Sequence, residues 1–531
     1  MSDDKSLNQA GIDDSNGKTT TSDTPEHVED GFSSAQISYD NNGIAGVIRS
    51  PYVFGAALLA SFGGFSFGYD QGVISITLTM PQFQQTFPEI APGHSRYGFN
   101  TGFMTGMWSS GHLLAVSTAF FCVGAIIQTA ANNYSTLAAG RTIGGVGVGT
   151  LAMGAPLYIS EIAPPNLRGS LLVLEAISIV IGAIIAYWVT YGSRDISGDW
   201  AFRLPFLLQM APALAVGIGI QFFPFSPRWL AMRHRNQDAL DSLAKLRRLP
   251  GADARVQQEW KGIIREVEIQ ELLLEREHGA ATNAVLLEFQ QWGDLFKPKY
   301  IRRTTVALAI PFFQQFSGIN AFVYYAPIFF AALGQDYEMS LILSGMVNIC
   351  QFVAGIPTFL FLDKVGRRKL AIFGGIAMGI LHMIMAGVVN KYNNKWADHP
   401  GIGWFGVALI YIYVLAYASS YGPLAWTLPA EVFPSSKRAK GVGAATAMVW
   451  LANFIIGVVV PEMQLKLGWG TYLFFGCFCF AASVFSFFLV PETAGKSLEQ
   501  IAGAFGDRLE DEEGELESRA HWSRGRTTSP F

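Results

Sequence analysis

The sequence predicts an all-α polytopic membrane protein built from two pseudo-repeated six-helix bundles, and three observations lead to that reading. Half of the residues are apolar and only 15% are charged, which suits membrane helices better than a soluble multidomain chain. Apolar runs long enough to cross a hydrocarbon core of about 30 Å recur along the chain. One pattern also occurs twice, as EIAPPNLRG from Glu161 and EVFPSSKRA from Glu431, with Arg seven residues after Glu in both, at Arg168 and Arg438. Parallel repeats in a membrane protein mark two halves related by an axis along the membrane normal, with any ligand held between them.

Composition also excludes several classes. A net charge of -4 is not that of a nucleic-acid partner. The four cysteines, Cys122, Cys350, Cys477 and Cys479, lie in apolar runs without metal-ligand spacing, and His94, His112, His382 and His399 are scattered. No catalytic cluster, metal site or cofactor is therefore expected, and an enzyme has no support.

Residues 1–50 are rich in Asp, Ser, Thr, Asn and Gly and lack an apolar signal core, which predicts a disordered N-terminal tail. A first transmembrane bundle is expected over 51–223. Its opening span, Val53 to Ser75, carries the acid Asp70 within Phe67-Gly68-Tyr69-Asp70-Gln71-Gly72. An ionisable group at that depth is a functional candidate, against the alternative of a helix-end carboxylate wetted by the outer surface. After the polar stretch Pro81 to Tyr97 comes an apolar run from Phe99 to Ala131, 33 residues long. It is too long for one span and too short for two with a loop.

Arg141 follows, inside an apolar segment with the glycine run Gly144, Gly145, Gly147, Gly149. No strand precedes these glycines, so a dinucleotide-loop reading is weak. Small residues at four-residue spacing, as at Gly145 and Gly149, instead let membrane helices approach closely. A buried guanidinium needs a carboxylate, and Asp70 is the natural partner. Spans near 169–192 and 203–223 complete the half, which closes on Ser226-Pro227-Arg228-Trp229-Leu230.

The linker, 224–303, is charged, with amphipathic helical patterns around 237–249 and 255–277. Lys297, Lys299, Arg302 and Arg303 abut the next span and place its start on the cytoplasmic side. A second bundle over 304–492 reads as six spans, near 304–332, 339–362, 370–390, 404–429, 440–461 and 470–490, and a cytoplasmic tail is expected over 493–531.

Within the second bundle, Pro311 to Pro327 places two adjacent amides, Gln314 and Gln315, and then Asn320 beyond Gly318 in an otherwise lipid-compatible run. Unpartnered amides in hydrocarbon cost several kcal/mol, so they either line a cavity for a polyhydroxylated ligand or join helices. Gly422-Pro423-Leu424-Ala425-Trp426 predicts a broken helix beside an aromatic.

These motifs resemble those of the sugar porters of the major facilitator superfamily, of the fungal monosaccharide-transporting type. The likeness runs from Phe54 to Gly495 and rests on FGYDQG, the Gly140-Arg141 pair, PLYISEIAPPNLRG, SPRWL, QQFSGIN, DKVGRR, GPLAW, EVFPSSKRAKG and PETAG. It implies the major facilitator fold and alternating-access transport of a monosaccharide, with sugar, protons and membrane lipid as partners. It places the chain as a multi-pass protein of the plasma membrane. By the resemblance, sugar binding falls on Gln314, Gln315, Asn320, Asn348, Trp426, Trp450 and Asn453. Proton coupling falls on Asp70 and Arg141, and an inner-gate network on Glu161, Arg168, Asp363, Arg367, Glu431 and Arg438. A passive facilitator, in which the Asp70 pair is static, stays open beside symport, as does a transporter-like nutrient sensor.

Three departures from the family pattern stand out. Ala176, beside an intramembrane Glu175, replaces the fifth-span glutamine, and Phe225 stands where a Glu precedes the SPR motif. The third is a gap. Asp70 and Glu161 are 91 residues apart whereas Asn320 and Glu431 are 111 apart, and the first half has no counterpart of DKVGRR. The helix 2–3 region of the first bundle is therefore expected to be truncated. A re-entrant pair turning near Trp108 to His112 would preserve the topology that the basic linker requires.

Overall fold

A computed structural model describes residues 51–88, 114–164, 167–279, 284–393, 395–434 and 437–494, with a few positions up to Phe505. The expected N-terminal tail, the re-entrant turn at Trp108 to His112 and most of the C-terminal tail lie outside the described residues. So do the side chains of Arg168 and Asp363.

The first half contains α1 (Pro51–Thr77), the short α2 (Pro81–Thr86), α3 (Leu114–Ala130), α4 (Tyr134–Ile162) and α5 (Arg168–Ser193). Its last span is the pair α6 (Trp200–Leu208) and α7 (Met210–Gly219), continued by a turn of 3₁₀ helix. Four linker helices follow: α8 (Pro227–Met232), α9 (Asn236–Arg247), α10 (Ala254–His278) and α11 (Ala284–Asp294). The second half comprises α12 (Ile301–Phe316), α13 (Ile319–Ala332), α14 (Tyr337–Val365), α15 (Arg367–Tyr392), α16 (Pro400–Ala418), α17 (Tyr421–Val432), α18 (Arg438–Leu467) and α19 (Gly470–Leu489).

Among the described residues, ten helices or helix pairs are long and apolar enough to cross a membrane, while Val116–Ala130 is a shorter apolar helix. Six of the ten lie in the second half and four in the first; residues 89–113, in the helix 2–3 region expected to be truncated, lie outside the described residues. The repeat is also visible in packing. In the first half α1 lies on α5, and α3 on α6 and α7; in the second, α12 lies on α18 and α15 on α19. First pairs with fifth and third with sixth in both halves.

Close approach of α3 to α4 depends on glycine. A methyl group on Gly124 would lie 2.3 Å from the backbone nitrogen of Gly144, so any side chain there would force the helices apart.

Two spans are broken. Between α12 and α13, Ser317 ends one helix and Gly318 takes φ of +96°, a left-handed geometry open to glycine. A Cβ at Gly318 would also meet the Phe475 ring at 2.8 Å. Between α16 and α17 the break falls at Ser419 and Ser420, just ahead of Gly422 and Pro423. Proline removes a backbone donor and cannot continue the preceding helix undisturbed.

The linker helices are tied to both halves. Arg247 pairs with Glu259 at 2.6 Å and donates to the Ile162 carbonyl at the end of α4, at 2.8 Å. On the other side the buried Lys437, just before α18, binds Glu277 and lies 2.7 Å from Asp294. Glu277, His278 and Asp294 bring their ligand atoms within 4.8 Å of one another, and the Lys437 ammonium is the cation that the two carboxylates hold.

Burial pushes the Asp294 carboxyl up, but Lys297 and Lys437, with His278, outweigh it and hold Asp294 below its usual 3.8. A depressed carboxylate stabilises the fold above its unfolded-state pKa, and the contribution disappears as pH falls through the folded value. Asp294→Asn should therefore lower the unfolding temperature of the detergent-solubilised protein at pH 7. The difference from wild type should shrink at an acid pH below the usual carboxylate range. An equal difference at both pH values would show that the effect is not the charge.

Candidate functional site

The two helix breaks are linked through Gln314, and polar side chains collect there. Gln314 donates to the Tyr421 and Gly422 carbonyls, both at 3.2 Å, so α12 is pinned to the break at the start of α17. The Ser317 carbonyl, freed by the break after α12, accepts from Tyr413 at 2.8 Å and lies 3.0 Å from His382 Nε2. Backbone groups loosened in hydrocarbon must be satisfied inside the protein, and these are.

From Gln314 a line of amides runs towards the first half. Gln315 Nε2 donates to Gln314 Oε1 at 3.2 Å, Asn320 donates to Gln315 Oε1 at 2.5 Å, and Gln71 of α1 donates to Asn320 Oδ1 at 3.2 Å. The last bond joins the two halves. Gln314, Gln315 and Asn320 are all buried, and Asn453 of α18 donates to the Tyr324 hydroxyl at 3.1 Å on the same side. Trp450 meets Phe67 of α1 edge-on at 5.2 Å between ring centroids. Asn348 is buried on α14, and Trp426, on α17, is 47% exposed; neither is linked to the amide line by a described hydrogen bond.

Asp70 and Arg141 meet as expected. Arg141 Nη1 lies 2.5 Å from Asp70 Oδ1, and both side chains are almost fully buried. Gln128 of α3 also accepts from Arg141, at 3.3 Å. Beyond this pair the halves touch again at their outer ends, where the Tyr187 hydroxyl donates to the Leu341 carbonyl at 2.6 Å and Arg194 binds Glu338 at 2.9 Å.

At the inner ends, Arg367 at the start of α15 binds Glu431 at 2.7 Å, and Thr493 donates to the same carboxylate at 2.5 Å. Glu492 accepts from the Arg367 backbone N–H at 2.8 Å, a carboxylate placed at a helix N-terminus. Glu161 is half-buried, and Arg438 Nε is buried without a hydrogen bond among the described residues. Sequence reading missed Gln71, Gln128 and Glu492. Gln71 and Gln128 both carried the signal already used for Gln314, an amide within an apolar run; Glu492 gave none until folding brought it to α15.

Paired bundles of spans with a polar line at opposed helix breaks define a membrane transporter. The family model described as "Sugar (and other) transporter" matches residues 56–505, and the chain belongs to that family. It is 30% identical over 488 residues to the "MFS glucose transporter mfs1" of Aspergillus flavus, covering 85% of this chain and 89% of that one. It is also 30% identical to the "H(+)/hexose cotransporter 2" of Parachlorella kessleri, covering 86% of each. Among solved structures it is similar to the proton:xylose symporter XylE bound to 6-bromo-6-deoxy-D-glucose. The TM-score is 0.66 at 26% identity, over 86% of this chain and 99% of that one. The fold is the major facilitator fold.

A buried guanidinium stripped of its carboxylate costs about 3–5 kcal/mol, whereas replacing both partners by apolar groups costs much less. Asp70→Ala should therefore strongly lower the unfolding temperature in detergent, and the double variant Asp70→Ala, Arg141→Leu should recover much of the loss. Equal stability of the single variant and wild type would mean that the pair is not closed in solution.

Proposed function

We propose that the protein carries a hexose across the plasma membrane by alternating access, coupled to inward movement of a proton. The observation that carries this reading is the amide line from Gln314 through Gln315 and Asn320 to Gln71, which crosses from one half to the other. Amides offer donors and acceptors together, as sugar hydroxyls demand. Here they bond to one another and to carbonyls exposed by the break. A sugar entering between the halves takes over these bonds, and opening the Gln71 to Asn320 link lets the halves part.

Asn348, Trp426, Trp450 and Asn453 complete the proposed sugar site, the tryptophans offering flat faces to the ring. Glu161, Arg168, Asp363, Arg367, Glu431 and Arg438 form the proposed inner gate, closing when the outer contacts of Tyr187 and Arg194 open. Support for a monosaccharide comes from relatives named as glucose and hexose transporters. Proton coupling is supported by the names of a hexose cotransporter and a xylose symporter and by the buried Asp70 and Arg141 pair. Ionised Asp70 holds Arg141; a proton on Asp70 releases that hold, and water access alternating between the two sides loads and unloads it.

Labelled-glucose uptake in transport-deficient cells tests this directly. Uptake should exceed equilibrium under an inward proton gradient and collapse with an uncoupler, and Asp70→Asn should abolish accumulation while sugar exchange continues. Uptake that merely equilibrates and ignores the gradient would make the protein a facilitator with a static Asp70. For the site itself, Gln315→Ala should weaken sugar binding by about 1–3 kcal/mol at unchanged surface expression. Unchanged affinity would leave the amides as helix joiners.

A further inference from the structure

A second acid lies inside the membrane and has no part in the scheme above. Glu175, on α5, is 6% exposed, and its Oε1 is buried with no hydrogen-bond partner among the described residues. It points at α1. A methyl group on Gly64 would come within 2.6 Å of Glu175 Oε1 and 3.0 Å of Ile179, so the carboxyl occupies the space that glycine leaves.

Among the described residues no charged group answers it. The charged side chains described on the helices packed against α5 have their own partners: Asp70 with Arg141, Arg203 with Asp199, and Glu338 with Arg194. Glu161 lies at the inner end of α4, 14 residues before Glu175 in the chain, and is itself partnered. A carboxylate without partner or water is the costly form of this group, whereas the neutral acid is tolerated.

Its place relative to Asp70 gives the acid a use. Ile179, one turn along α5 from Glu175, packs in the cluster that includes Phe67 and Trp450. Asp70 and Gln71 are beyond that aromatic contact on the outer side, about 9 Å along α1 from Gly64. Glu175 is on the cytoplasmic side, about 10 Å from the inner end of α5. The two acids thus flank the Phe67 to Trp450 contact. No hydrogen bond between side chains connects them among the described residues.

We propose that Glu175 is a second proton-binding site of the transport cycle, neutral while the Phe67 to Trp450 contact covers it and ionised when the inner side opens to water. Each turnover then carries two protons, one on Asp70 and one on Glu175. The contact parts while the site faces outward and Glu175 takes its proton from outer water, and that proton passes to cytoplasmic water once the inner side opens. The inference rests on the symport reading.

Two measurements test it on the full-length protein, with Glu175→Gln as a neutral variant of the same shape and its unfolding temperature as the check on folding. Infrared spectra of purified wild type at neutral pH should contain a neutral-carboxyl band that moves in heavy water, is lost in Glu175→Gln and persists in Asp70→Asn. If wild type lacks the band, or Glu175→Gln keeps it, the proposal fails whatever the coupling. In proteoliposomes with a pH difference and clamped voltage, each coupled proton supports about tenfold accumulation of glucose per pH unit. Wild type should then approach about a hundredfold and Glu175→Gln about tenfold. Equal plateaus in the two would make Glu175 a static acid and leave coupling to Asp70 alone. No accumulation even by wild type would overturn the symport reading and this inference together.

Discussion

A backbone group released by a helix break inside hydrocarbon must be satisfied within the protein, and this constraint organises the second bundle. The Ser317 carbonyl engages Tyr413 and His382, while the carbonyls of Tyr421 and Gly422 engage Gln314. Each break therefore recruits polar groups from neighbouring spans. Those groups in turn fix Gln315 and Asn320 at the boundary with the first bundle, where Gln71 reaches them. Pinned breaks can also serve as hinges: a helix already interrupted can tilt one half without losing further backbone bonds.

The same logic governs the charged groups. Arg141 is tolerable only because Asp70 and Gln128 surround it, and Lys437 only because Glu277 and Asp294 do. The first pair lies at membrane depth, where a change of proton occupancy is costly and hence informative to the fold. The second lies in the linker, where it ties α10 and α11 to the start of α18 and so couples the linker helices to the second bundle.

Much of this was legible in the chain. Span lengths, the Glu161 to Arg168 and Glu431 to Arg438 repeat and the basic flanks of the linker were enough for the two-bundle architecture, because apolar length and charge placement are local properties. The Asp70 and Arg141 pairing followed from the cost of a lone buried charge. Pairings made only by the fold were not legible: Gln71 to Asn320 joins positions 249 apart, and Glu492 caps a helix that begins 125 residues earlier. The exact close approach of α3 to α4, on Gly124 and Gly144, likewise depends on how two helices rotate against each other, which a small-residue pattern leaves open.

The most direct measurement of the central claim is an experimental structure of the protein with glucose bound. The account predicts a sugar between α1 and the α12–α13 break, the Gln71 to Asn320 bond opened, and the amides of Gln314, Gln315 and Asn320 turned to the sugar hydroxyls. A structure in which glucose binds elsewhere, with the amide line from Gln314 to Gln71 intact, would contradict it.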